Sequence, residues 1–90
     1  MKYSVPLKVN SSMSMAANRL HIHPNEGFDL GLMTTHYDIE LDNVGPMEIW
    51  LLNECPKQTL ELNSKIWEKM GKPGKVVLQM DEGKLKAQIV

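Results

Sequence analysis

His21 and His23 stand two residues apart just ahead of Glu26, and a second polar run follows at His36, Asp38 and Glu40. Side chains alternate between the two faces of an extended strand, so His21 and His23 would project together, as would His36, Asp38 and Glu40. Two imidazoles and a carboxylate suit zinc or iron. No complete tetrahedral set occurs at readable spacing, so the expectation is surface histidines on a polar strand face and no metal site. The lone Cys55 sits in Glu54-Cys55-Pro56, where the neighbouring carboxylate would raise a thiol pKa, so a catalytic nucleophile is not expected. Gly71-Lys72-Pro73-Gly74 lacks the spacing of a phosphate-binding P-loop. These residues read as a non-enzyme with no cofactor.

The elements that must position them are mostly strands, because the apolar pattern has period two. Val5, Leu7 and Val9 alternate around Pro6 and Lys8, and the proline suggests an edge strand. Residues 11–18, rich in serine, read as a loop or one helical turn, which leaves Met13 and Met15 as a small exposed apolar patch suited to a protein partner. Leu20 and Ile22 form a short strand ended by Pro24. Asn25-Glu26-Gly27 reads as a turn, with Phe28, Leu30 and Leu32 facing inward after it. Tyr37, Ile39 and Leu41 alternate with Asp38, Glu40 and Asp42, which gives one strand an acidic outer face and makes those three carboxylates candidates for partner binding. Asp42-Asn43-Val44-Gly45-Pro46 is turn chemistry and the one internal boundary.

Residues 47–90 are more legible. Met47–Leu52 is an apolar strand, and Thr59–Leu62 returns after a polar connection. Asn63 or Ser64 can cap a short helix carrying Ile66, Trp67 and Met70, with Gly71 and Pro73 to end it. Val76, Leu78 and Met80, the turn Asp81-Glu82-Gly83, and Leu85, Ala87 and Ile89 complete a hairpin. Residues 47–90 thus read as a ββαββ module, within one domain spanning 1–90 whose residues 1–46 are a β-rich N-terminal extension.

Met70-Gly71, Lys72-Pro73-Gly74-Lys75-Val76 and Asp81-Glu82-Gly83-Lys84-Leu85, with Trp50 and Asn53 upstream, resemble the AbrB/MazE superfamily pattern over about half the chain. That resemblance implies a swapped-hairpin barrel made by two interleaved copies, hence a homodimer, and a DNA-binding regulator or antitoxin-like role. The family's second strand carries Arg-Ile-Pro, with the arginine serving DNA contact; here Glu61-Leu62-Asn63 puts a carboxylate in that place. The residues left to contact DNA are Asn53, Lys57, Gln58 and Thr59 on the connection and second strand, and Lys65 on the helix. Leu7-Lys8-Val9-Asn10-Ser11 is also similar to Leu60-Glu61-Leu62-Asn63-Ser64. If the first half is a second such unit, one chain would close a double-psi-like barrel alone. Either way the fold expected is mainly β with one short helix.

Composition narrows the functions. At 90 residues, 42% apolar and 23% charged, the chain is an ordinary globular domain. It has no run long enough to cross a bilayer and no signal-peptide core, and one unpaired cysteine, so the expected location is the cytoplasm and no membrane partner is expected. Net charge is −1. Residues 1–46 carry three basic against five acidic side chains and residues 47–90 seven against six. The alternative function this balance allows is a phage- or plasmid-type inhibitor or adaptor that binds a protein through its acidic β-surface without touching DNA.

Overall fold

The computed structural model describes residues 1–90. Ten elements run in the order β1 (Lys2–Tyr3), β2 (Leu7–Ser12), β3 (Arg19–Ile22), α1 (Pro24–Asp29), β4 (His36–Leu41), β5 (Gly45–Leu51), β6 (Thr59–Asn63), α2 (Ser64–Lys69), β7 (Lys75–Asp81) and β8 (Lys84–Ile89). The strands pair in the order β7-β2-β6-β3-β5-β4-β8, and β8 pairs back to β7, so the sheet closes into a seven-stranded barrel. Closure removes the sheet's edges over most of its length, a recurrent solution for all-β chains. The period-two pattern works as expected: Leu7, Leu20, Ile22, Ile49, Leu60, Leu62, Val76, Leu78 and Leu85 point inward and fill the barrel.

Two ββαβ units, β2-β3-α1-β4 and β5-β6-α2-β7, share the barrel about a central antiparallel pair in which Leu20 lies opposite Leu62 and His21 opposite Glu61. Equivalent hydrogen bonds recur forty residues apart. Lys8 N–H donates to the Gln58 carbonyl as Glu48 N–H donates to the Asn18 carbonyl; Leu32 N–H reaches Gly27 as Lys72 N–H reaches Trp67. The units are interleaved, since β2 runs parallel to β6 and β3 parallel to β5. Residues 1–46 thus supply half the barrel wall. The similarity between Leu7–Ser11 and Leu60–Ser64 marks parallel neighbours, with Val9 beside Leu60, rather than equivalent positions.

The barrel has two short helices, not one. α2 stands as expected: Asn63 Oδ1 accepts the Lys65 N–H at 2.8 Å, and Gly71 takes the left-handed φ of +89° that ends it. α1 replaces the turn and inward strand expected over residues 25–32. Pro24 occupies its first turn, where a missing N–H costs nothing. His23 acts as the cap, its Nδ1 accepting the Asn25 N–H at 3.0 Å. Leu30 and Leu32 are buried beyond it, but Phe28 lies on the solvent side of the helix. Gly27 lets α1 approach β5, because a Cβ there would collide with the Leu51 side chain.

Pro6 also has a different reason from an edge strand. β2 is flanked by both β7 and β6, and the proline sits in the break between β1 and β2. Across that break Ser4 bridges the ladder: its N–H donates to the Leu78 carbonyl at 2.8 Å and its Oγ accepts the Leu78 N–H at 2.9 Å.

Candidate functional site

The start of β2 collects charge of one sign. Lys8 lies directly opposite Lys75 across the antiparallel β2–β7 pair, with Leu7 and Val76 turned inward beside them, so both ammonium groups face out. Val9 N–H donates to the Gly74 carbonyl at 3.0 Å, which brings the Lys72–Lys75 segment alongside. On the other side Lys8 N–H donates to the Gln58 carbonyl at 2.9 Å, which places Lys57 next to the same spot. The charged contacts of the molecule are the Arg19–Glu48 ion pair and the approach of Glu61 to the His21 imidazole, so none of these four lysines is neutralised. Like charges directly opposite in a sheet destabilise it, which makes Lys8–Lys75 an arrangement the fold alone would not select.

The connection between β5 and β6 is held in place from below. Glu26, only 4% exposed, accepts the Gln58 N–H through Oε2 at 3.1 Å, and Gln58 adopts a left-handed φ of +56° to make that bond. Cys55 is buried under the loop, and its N–H donates to the Leu52 carbonyl at 3.1 Å. Asn53, Lys57 and Gln58 are therefore exposed side chains on an anchored backbone, together with Glu54 as the one carboxylate there. Thr59 belongs to the anchor, not to the exposed set: it is 6% exposed and its hydroxyl donates to the Lys57 carbonyl at 3.2 Å. Lys65 is exposed on α2, outside this cluster. Sequence reasoning singled out Lys57 and Gln58 but missed Lys8, Lys72 and Lys75, because the cross-strand register that assembles them joins opposite ends of the chain.

A second group of side chains lies across the outer wall, where register sets Asn10, Glu61, His21, Trp50 and His36 in one row from β2 to β4. His36 stacks on Trp50 with ring centroids 4.6 Å apart, and the Arg19 guanidinium sits 4.2 Å from the Trp50 ring centre. Trp50 Nε1–H donates to Glu48 at 2.9 Å. Glu61 turns its carboxylate toward His21, with Oε1 3.7 Å from Nδ1. Burial holds the His21 pKa below its ordinary value; Glu61 pulls it up, and Arg19 adds to the lowering. Nε2 of His21 is buried without a hydrogen-bond partner.

Burial, then the Glu61 and Glu26 carboxylates, push the Cys55 thiol up to about 12, so it stays protonated and un-nucleophilic. The direction matches the sequence expectation, but its causes are burial and the Glu61 and Glu26 carboxylates, and Glu54 is not among them. His21 and His23 also do not share a face: β3 ends at Ile22, and His23 turns away to cap α1. No group of three histidine, cysteine or acidic side chains is placed to hold a metal ion.

Asp38, Glu40 and Asp42 are all exposed along β4. Glu40 and Asp42 line a groove of about 580 Å³ with Asp81, Lys84 and Lys86, while Asp38 lies opposite Glu48 away from it. Met13 is 76% exposed at the β2–β3 connection. Met15 is half-buried beside His21 and Glu61, its carbonyl held by Asn63 Nδ2 at 2.6 Å, so the two methionines do not form one patch. No helix is long and apolar enough to cross a membrane. Comparisons with family models, curated proteins and solved structures find no match to this chain.

Proposed function

We propose that this chain is a small DNA-binding regulator that grips the phosphate backbone through Lys8, Lys57, Lys72 and Lys75. The observation that carries the reading is the convergence of four unneutralised lysines on the start of β2, two of them directly opposed. A polyanion relieves that repulsion and releases the counterions it had condensed, which supplies most of non-specific affinity. Asn53 and Gln58, exposed on the anchored connection, are amides of the kind that pair with adenine edges in the major groove. The AbrB/MazE-like pattern of the second half supports the same reading. Glu61, occupied with His21, is not aimed at the phosphates.

Fluorescence anisotropy on random duplex DNA tests this directly. Four phosphate contacts predict a log–log salt slope near −3.6, so affinity should fall roughly 100-fold between 50 and 200 mM salt. Lys8→Ala with Lys75→Ala should flatten the slope by about two units. Absence of binding at low salt, or an unchanged slope in the double variant, rejects the reading.

A further inference from the structure

β4 is paired along its whole length on one side only. It pairs with β5 along its whole length, from His36 opposite Trp50 to Leu41 opposite Gly45. On its other side it meets β8 only at Glu40–Lys84 and Leu41–Leu85. Glu40 N–H donates to the Gly83 carbonyl at 2.9 Å and Asp42 N–H to the Leu85 carbonyl at 2.8 Å, so the even-numbered residues of β4 direct their amides toward β8. Strand alternation sends the amides of His36 and Asp38 the same way, where no strand of this chain lies. The His36 carbonyl is taken by the Thr34 hydroxyl at 3.3 Å. What remains is an open sheet edge offering the His36 N–H and both backbone groups of Asp38.

An open edge is a template for another strand, and the side chains along it select which one. The outward residues Asp38, Glu40 and Asp42 are exposed and make no ion pair. A second copy pairing through the same edge would set these carboxylates against one another. An extended segment bearing lysine or arginine would instead place a cation beside Asp38, about 5 Å away as in any sheet, and would end against β8 at Glu40, whose neighbour there is Lys84. Where the edge ends at Glu40, the 580 Å³ groove begins and continues past Asp42 and Asp81, with Lys84 and Lys86 on its far side. We propose that β4 binds an extended, cation-bearing peptide segment of a partner protein by strand addition. This surface is separate from the β2–β7 lysines and stands independently of the DNA reading.

The test uses the intact chain and a labelled peptide of alternating lysine and valine, followed by anisotropy and by amide hydrogen exchange. Saturable, salt-sensitive binding is expected, together with slowed exchange of the Asp38 N–H. The same peptide N-methylated on the residues facing β4 should bind at least tenfold more weakly, as should the wild-type peptide to the Asp38→Lys, Glu40→Lys variant. Both substituted residues are exposed, so the variant should still fold cooperatively, its melting lowered only by the new charge at position 40 beside Lys84, and its DNA affinity should not fall. Equal binding of the N-methylated peptide would show attraction by charge without strand addition and overturn the proposal. Absence of saturable binding would overturn it too, leaving the carboxylates as guards against edge pairing.

Discussion

His21 shows how one side chain couples the outer wall to acidity. It is packed between Glu61 and Trp50 in register, with Arg19 on its own strand and the Met15 segment beside it. Because its folded pKa lies below the ordinary value, the unfolded chain takes up the proton more readily. Its contribution to stability is therefore complete above about pH 6.5 and is lost as pH falls through the folded value. Thermal melts should show a loss of stability on acidification from pH 7 to pH 5 that is shallower in His21→Gln. Parallel slopes in the two proteins would exclude His21 as the source. The sequence revealed the residue, but not its surroundings: the i, i+2 rule paired it with His23, whereas its true neighbour, Glu61, lies forty residues away.

At the scale of elements, α2 was legible because asparagine is a familiar cap and Gly71-Lys72-Pro73 an unmistakable stop. α1 was hidden because histidine seldom caps a helix and Pro24 reads equally well as the end of a strand. The structural equivalence of His23 and Asn63 makes this explicit: each accepts the N–H two residues on. His23→Asn should therefore fold with unchanged or slightly higher melting temperature, while His23→Ala should cost about 1 kcal/mol, the usual worth of a cap. Equal loss in both variants would mean that the imidazole ring itself is needed against the barrel. The strands were easier, since burial on one face enforces period two, and β4 through β8 lie close to where alternation placed them.

For the whole molecule, the sequence allowed two architectures, and the distinction between them lay in contacts that no local pattern encodes. A half-barrel unit must borrow a second copy to cover its apolar face; here the chain supplies both units, and the cluster of seventeen buried core residues closes within one copy. The expected mass in solution is thus that of one chain, 10.2 kDa, stable on dilution. Light scattering that returned twice this value would require an interface outside the barrel interior. Such a dimer would point first to the apolar residues left exposed, among them Tyr3, Phe28, Met33 and Ile89.

The interleaving of the two units carries a further consequence, in time. β4–β5 and β7–β8 are the only neighbouring strands joined by a short turn; β2 must wait for β6 and β7, and β3 for β5 and β6. Closing long loops before their contacts repay the entropy makes such chains slow folders for their size. A ribosome that has released the first unit has released nothing able to bury its own apolar face. The emerging half must stay soluble until strands of the second unit reach it, and its serines and acidic β4 are what it has to do so.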